Sequence, residues 1–307
     1  MSGEFISLVV ALMWTFTAIF AEIASKRMGT LVLNVWRMII TIVLLGALLW
    51  VFCGQPFPRY TTPQVWGWFL ASGFMGFVFG DYCLFNAYVA MGSKYTQLFM
   101  TLASPFAAIT AWVLMGERMS WLALLGMIIT LTGICISILG KSETGKRRIK
   151  LPLRGVLLAV GAGMGQGTGL VLSKSGMQAY TAVVPISETS AIELMPFSGT
   201  MIRAVMGLLG FGLVLISSRK VSAMSVAWKD GKASAAAMGA ILLGPFFGVS
   251  LSLMAVNLTH AGVAQTIMSL TPVLILWPSY FIFGTKVTLQ EFLGAAIAVF
   301  GASLFFI

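Results

Sequence analysis

Ten long apolar runs are the feature of this sequence that most restricts its fold. A helix needs about 20 apolar residues to cross the hydrocarbon core of a membrane. Only 9% of the 307 residues are charged, against about 25% in soluble domains. The sequence therefore predicts an all-α integral membrane protein with ten transmembrane helices. The runs cover residues 5–25, 31–52, 65–91, 95–115, 120–140, 153–173, 200–217, 234–258, 263–283 and 288–306.

The cysteine and histidine content gives no sign of a metal or redox site. Cys53, Cys83 and Cys135 lie in apolar runs without metal-ligand spacing, and the single histidine, His260, has no acidic or cysteine cluster around it. We therefore expect no cofactor and no metal. The net charge of +10 would suggest nucleic acid as the partner of a soluble protein. Here the basic residues lie in loops between apolar runs, so we expect no nucleic-acid partner.

Lysine and arginine are concentrated in alternate loops, after runs one, three, five, seven and nine. The positive-inside rule predicts that these loops face the cytoplasm and that both termini lie outside. An acidic residue, Glu4, precedes the first run, which we interpret as a retained helix rather than a signal peptide. The most polar stretch separates runs five and six. We interpret residues 1–140 as a first unit, 141–152 as a basic linker and 153–307 as a second unit.

An internal repeat relates the two units. Arg37 pairs with Arg203, and Ser25-Lys26 with Ser173-Lys174, whereas most pairs are separated by 168 residues. Each unit holds five helices, an odd number, so the second must enter the membrane in the opposite direction. Such inverted repeats are typical of secondary transporters. The pairs at the 168-residue separation include Gly76/Gly244, Phe79/Phe247, Gly80/Gly248, Gln97/Gln265, Gly116/Gly284, Gly126/Gly294 and Gly133/Gly301.

Charged side chains inside apolar runs are candidates for a substrate site, because a charge at the centre of a membrane helix costs about 2.5–3.5 kcal/mol. Asp81 either lines a central cavity or makes a hydrogen bond between helices, and a buried carboxyl group can carry a proton. Arg37 and Arg203 either extend to the headgroups or hold an anionic group of substrate or protein. Glu22 is a second candidate for proton coupling, although an ion pair with Lys26 within the helix is the alternative.

Amides and aromatic residues complete the candidate site. Gln166 lies among glycines at 161, 163, 165, 167 and 169, a helix-packing pattern rather than a nucleotide-binding loop. Tyr82 and Asn86 share a helix face, and Trp14 either forms a cavity wall or packs against neighbours. Residues 175–199 form a re-entrant or interfacial piece or a long loop. The predicted substrate-binding residues are Asp81, Asn86, Gln97, Gln166, Asn257, Gln265, Trp14, Tyr82, Arg37 and Arg203, and those for proton coupling are Asp81 and Glu22.

Two five-helix halves resemble the tandem EamA domains of the drug/metabolite transporter superfamily. The similar features are Trp14 early in helix one, Lys26 at its end, Arg37 in helix two, Pro105 in helix four, and Gly116-Glu117 at the exit of helix four. The chain departs from the family pattern after Gly284, where Thr285-Lys286 replaces the usual glutamate, and the loop after helix six is long.

This resemblance implies a basket-like ten-helix fold and alternating access to a central cavity. Its members commonly export metabolites, amino acids or amphiphilic solutes, so the expected function is secondary transport rather than catalysis. The expected partners are a small-molecule substrate and the lipid bilayer of the bacterial cytoplasmic membrane, with the protein a monomer or a homodimer. The alternative is a membrane-embedded enzyme or a flippase-like protein that acts on a lipid-linked group, which usually needs clustered acids or histidines.

Overall fold

A computed structural model describes residues 3–116, 121–138, 151–258, 267–284 and 287–304, and these ranges are helical and contain no strand. The polar stretch at 139–150 and residues 259–266, which include His260 and Gln265, lie outside these ranges. Six helices in the described ranges are long and apolar enough to cross a membrane, and three shorter ones are apolar. The chain is therefore a multi-pass membrane protein.

The first half begins with two long helices joined at Gly29. A bent, largely apolar rod of 52 residues follows and breaks at Gly92, whose φ of 83° and ψ of 161° are not helical. Thr62 begins this rod by accepting a hydrogen bond from the backbone N–H of Val65. The elements are α1 (Gly3–Met28), α2 (Thr30–Cys53), α3 (Pro63–Gly73), a π-helical segment (Phe74–Asp81), α4 (Tyr82–Phe99), a 3₁₀ turn (Met100–Leu102), α5 (Ala103–Met115) and α6 (Trp121–Ile138).

The second half follows the same order with two short additions, α8 and α10. Thr288 and Glu291 form a reciprocal cap at the start of its last helix. The elements are α7 (Leu153–Thr181), α8 (Thr189–Glu193), α9 (Met195–Ser217), α10 (Ala223–Ala227), α11 (Gly231–Ile241), a second π-helical segment (Leu242–Val249), α12 (Ser250–Leu258), α13 (Thr271–Leu274), α14 (Leu276–Phe283) and α15 (Leu289–Ser303).

The segment at 175–199 differs from the sequence expectation. Helix α7 continues two turns beyond the predicted run, to Thr181, and α9 already begins at Met195. Only residues 182–194 connect them, and this connection contains the short helix α8. Pro196 lies in the first turn of α9, where the missing N–H of proline has no helical partner to lose. The apolar runs are shorter than the helices because the end of α7 and the start of α9 contain polar residues.

The two π-helical segments occupy equivalent positions, since both their first and their last residues are 168 positions apart. A π-helical stretch is rare and is found mostly at functional sites. Each segment lies inside a run that the sequence predicted to be one continuous helix. The repeat therefore extends to an irregularity of the backbone that hydrophobic periodicity does not reveal.

The halves pack against each other reciprocally. Helix α1 packs on α11, where Phe20 covers Gly239, and α7 packs on α3, where Phe69 covers Gly176. The first helix of each half thus packs against the third membrane helix of the other half.

Two further helix pairs run antiparallel between the halves. In the α6–α15 pair, Gly301 lies against Thr130 while Gly294 lies against Ser137, so the residue numbers rise in one helix as they fall in the other. The α2–α9 pair has the same arrangement, with Gly207 against Met38 and Gly46 beside Met201. Corresponding helices of the two halves therefore face each other in opposite directions.

A polar contact outside the apolar spans joins α1 to α11. Arg27 donates a hydrogen bond of 2.6 Å to Asp230, which also accepts from the backbone of Lys232 and Ala233 at the start of α11. The bond from Arg27 lowers the pKa of Asp230. The carboxylate therefore both caps a helix and holds two halves together at their surface.

We expect Gly294→Ala to destabilise the α6–α15 contact. A methyl group at this position would lie 2.5 Å from the backbone nitrogen of Ser137, and overpacking of this kind costs about 1–3 kcal/mol. The melting temperature of the purified protein in detergent should fall. Gly212→Ala is the matched control because nothing lies within 4 Å of its added methyl group. Equal melting temperatures for the two variants would contradict a close contact at Gly294.

Candidate functional site

A cavity of about 150 Å³ lies between the two halves. Helices of both halves line it, and its walls are mostly apolar and include the charged side chains of Arg37, Asp81 and Arg203. Six of the residues predicted from the sequence line it, namely Trp14, Arg37, Asp81, Gln97, Gln166 and Arg203. A mostly apolar cavity with a few convergent polar groups is the usual form of a small-molecule site.

Asp81 is the centre of a buried polar network. Its Oδ2 accepts a hydrogen bond of 2.9 Å from Nη1 of Arg37, and its Oδ1 accepts one of 3.0 Å from Nε2 of Gln166. Arg37 also donates to Oδ1 of Asn34 at 2.6 Å, and its guanidinium lies 4.3 Å from the ring centre of Phe85. Asp81 therefore lines the cavity and joins helices of both halves, so both sequence alternatives hold for it.

Arg203 has a different environment from Arg37. Its side chain is 4% exposed, and the guanidinium lies 4.8 Å from the ring centre of Phe77. Its Nε has no hydrogen-bond partner, which is also true of Arg37, but unlike Arg37 it takes part in none of the ion pairs among the described residues. Both arginines are thus buried beside the cavity. The alternative that they extend to the headgroups is wrong, because neither side chain reaches the surface of the helix bundle.

Glycines of the π-helical segments make room for these side chains. A methyl group on Gly76 would lie 2.7 Å from Nη2 of Arg203, and one on the equivalent Gly244 would lie 3.7 Å from Nη2 of Arg37. Each arginine therefore reaches the glycine of the opposite half.

The next glycine of each π-helical segment also lies beside a side chain of the opposite half. Gly80 lies beside Gln166 and the equivalent Gly248 lies beside Trp14. Gln166 and Trp14 thus occupy corresponding places, 152 residues apart, which is one helical turn from the spacing used to pair Ser25 with Ser173.

Tyr82 and Asn86 are corrections to the predicted site, since neither lines the cavity. They share a face as expected, and Asn86 donates to the carbonyl of Tyr82. Tyr82 points outward and is 49% exposed, whereas the partly buried Asn86 accepts a hydrogen bond of 3.4 Å from Thr30 of α2. Successive residues of a helix differ by about 100° in direction, so the neighbour of Asp81 cannot share its face.

The residues that do share the face of Asp81 were missed. Phe85 and Tyr88 follow it by four and seven residues, which is the spacing of one helix face, and both line the cavity. Gln97 donates a hydrogen bond of 2.7 Å to the hydroxyl of Tyr88. The spacing of four and seven residues from Asp81 is the sequence signal that could identify them.

Glu22 lies away from the cavity. It accepts a hydrogen bond of 2.6 Å from the backbone N–H of Ser93, directly after the break at Gly92, and forms an ion pair with Lys26 at 2.5 Å. The intrahelical pair expected from the sequence is therefore present, and the carboxylate also holds α4 after its break. The side chain of Asn257, in α12, and the whole of Gln265 lie outside the description, so their predicted roles stay predictions.

A second ion pair lies near the break in α4. Lys94 binds Glu291 at 2.9 Å, and the hydroxyl of Tyr95 donates to the same oxygen at 2.9 Å. This pair connects the first half with α15 of the second half. Sequence reasoning missed it because the two residues are far apart in the chain.

Comparison with known proteins gives one family over most of the chain. The EamA-like transporter family matches residues 1–139 and 153–307. A solved crystal structure is similar over 98% of this chain and 95% of its own, with 17% sequence identity and a TM-score of 0.62, and this likeness concerns the fold alone. No curated protein matches the chain.

We expect Asp81 and Arg37 to be strongly coupled in stability. Asp81→Asn leaves a buried guanidinium without its counter-charge, which costs about 3–5 kcal/mol. The double variant Asp81→Asn/Arg37→Gln should lose less than the sum of the two single changes, by at least about 1 kcal/mol. Unfolding of the purified protein in mixed micelles, followed by tryptophan fluorescence, measures all four proteins. The exposed pair Arg27–Asp230 is the control and should show a much smaller coupling. Additive effects at Asp81 and Arg37 would contradict the pair.

Proposed function

This chain belongs to the EamA-like transporter family, and we propose from that premise that it is a secondary transporter that moves a small metabolite or an amphiphilic solute through the central cavity. The observation that carries this proposal is the position of the cavity, which lies between two halves of a multi-pass membrane protein and is lined by both. Secondary transporters built from inverted repeats use a site between the repeats to expose it to each side of the membrane in turn.

We further propose ten membrane-spanning helices in two inverted repeats of five. The antiparallel contacts of α2 with α9 and of α6 with α15 support opposite insertion of the halves. The equivalent π-helical segments support a common origin of the halves. Alternating access then requires the two halves to exchange conformations about the cavity. Export from the cytoplasm of a bacterial cell, with the basic loops inside, is the direction that we propose.

Proton coupling through Asp81 is part of this proposal. Protonation of Asp81 would break its ion pair with Arg37, so a coupled cycle would open this pair once in each turnover. Glu22 is the second candidate, but its carboxylate is engaged with Ser93 and Lys26. Asp81 is therefore the better candidate of the two.

A vesicle assay tests the transport proposal. Proteoliposomes are loaded with a mixture of amino acids, nucleosides and sugar phosphates, and mass spectrometry follows each solute as it leaves. We expect at least one solute to leave faster than from protein-free vesicles. Leu84→Trp, which fills the cavity wall, should slow that solute at least about tenfold, and ΔΔG‡ above about 1.4 kcal/mol corresponds to that factor.

Leu213→Trp is the matched control for this experiment. It makes the same substitution on α9, where Leu213 is 68% exposed and far from the cavity lining, so it should transport like the wild type. No difference between the two variants would contradict passage through the cavity. If no solute moves and a lipid-linked substrate is turned over in detergent, the protein is an enzyme instead.

The proton role of Asp81 has its own test. An imposed pH gradient should change the rate of solute exit in the wild type and in Arg37→Gln, which keeps the carboxylate. The double variant Asp81→Asn/Arg37→Gln has no carboxylate to protonate and no unpaired guanidinium at this position, so its rate should be independent of the gradient. A response to the gradient in the double variant would remove Asp81 as the proton carrier.

A further inference from the structure

Arg203 is a buried cation that has no ion-pair partner among the residues that the structure describes. It is the ninth residue of α9, about 12 Å along the helix axis from its first residue. It lines the cavity, its Nε has no hydrogen-bond partner, and none of the ion pairs among the described residues includes it. A charge without a partner in such a place is costly, and an intramembrane charge is functional by default.

The repeat identifies what Arg203 lacks. Arg37 is held by Asn34, three residues before it, and by Asp81 at the end of the π-helical segment. The position equivalent to Asn34 is Thr200, whose hydroxyl is engaged with the carbonyl of Pro196 at 2.8 Å. The position equivalent to Asp81 is Val249, at the end of the second π-helical segment. The second half thus keeps the arginine and has lost both of its acceptors.

Val249 and Arg203 line the same cavity. Val249 packs in the same apolar cluster as Phe77, the ring on which Arg203 lies, and Ala204, the next residue of α9. An aliphatic side chain therefore occupies the repeat position at which the first half has a carboxylate.

Asp81 does not neutralise Arg203 by direct contact. Its two oxygens accept hydrogen bonds from Arg37 and Gln166, and among the described residues its ion pair is with Arg37. Among the described residues that line the cavity, two arginines face one carboxylate. The lining therefore has an excess of one positive charge, which an occupant with a negative charge would compensate.

We propose that the transported solute carries an anionic group, a carboxylate or a phosphate, that binds Arg203 in the place that Val249 leaves without an acceptor. This inference rests on the proposed transport function. A guanidinium can donate two parallel hydrogen bonds to either group. The apolar walls then hold the rest of the solute, and a cavity of about 150 Å³ accepts an apolar body about the size of benzene.

The first test supplies the missing carboxylate within the protein. Val249→Asp should pair with Arg203, whereas Val249→Asn offers the same shape without the charge. We expect the melting temperature of the ligand-free Val249→Asp protein to exceed that of Val249→Asn by at least about 2 °C. A buried carboxylate without a partner would give the opposite sign, because burial of an unpaired charge is destabilising. A lower melting temperature for Val249→Asp would therefore overturn the proposal.

The second test uses small aromatic probes with different polar groups. Benzoate and phenyl phosphate carry the two anionic groups, and benzamide is the neutral counterpart of benzoate. Benzoate or phenyl phosphate should raise the melting temperature of the purified full chain, and benzamide should not. The anion that raises it more indicates whether the solute carries a carboxylate or a phosphate. Arg203→Gln should weaken binding about 10- to 100-fold, and Val249→Asp should abolish it. Equal stabilisation by benzamide and by both anions would overturn the proposal.

Gly76→Ala is a second variant in case Arg203→Gln fails to fold. Its methyl group would displace Nη2 of Arg203 while the charge remains, so benzoate should bind more weakly but the cavity should keep its preference for anions.

The vesicle assay separates this inference from the proposed function. If the solutes that move are neutral, transport stands and the anion site is wrong. If benzoate binds through Arg203 but no solute of the mixture moves, the anion site stands and transport is wrong.

Discussion

Close approach of backbones at glycine is the constraint on which the rest of this structure depends. Lipid provides little hydrophobic force between helices, so helices associate through packing that small residues permit. Helix α7 shows this most clearly, since Gly165 and Gly169 lie against Gly80 and Gly76 of the first π-helical segment, while Gly167 lies against the backbone of Ala103. Without these contacts the two halves could not approach closely enough to enclose a cavity.

The cavity lies where the backbone departs from the α-helix. The π-helical segments at 74–81 and 242–249 both contribute to its wall, and irregular backbone at membrane depth is tolerated where it lines a cavity. Asp81 ends the first segment and reaches Arg37 and Gln166 from there. Helix packing and the candidate binding site are therefore linked. Glycines let the helix backbones approach closely, and the first π-helical segment places Asp81 within hydrogen-bond distance of Arg37 and Gln166.

Much of this arrangement could be predicted because it follows from residue type and spacing. Local patterns include the apolar runs, the glycine rows of α7 and the equivalence of Arg37 and Arg203. The sequence also predicts that Asp81 and Gln166 both lie at a cavity. Tyr82 was misplaced because its face had to be chosen without knowing the direction of Asp81.

The partners of the two arginines required the fold. No periodicity in the sequence indicates the ion pair between Lys94 and Glu291. Nor does it indicate that Arg203 has no ion pair among the described residues. The alignment of Asp81 with Val249 was nevertheless present in the 168-residue repeat. A repeat position whose charge differs between the halves is thus as informative as one whose charge is the same. Only the fold shows that Arg203 is buried.

The surplus guanidinium makes the electrical state of the protein depend on its contents. A monovalent anion brings the described lining to electroneutrality, whereas an empty cavity retains one elementary charge. The membrane potential acts on such a charge with about 2.3 kcal/mol per 100 mV across the full membrane, and it exerts no net force on a neutral cavity. The filled and empty forms of one protein therefore differ in their response to voltage, through a single valine in the place of an aspartate.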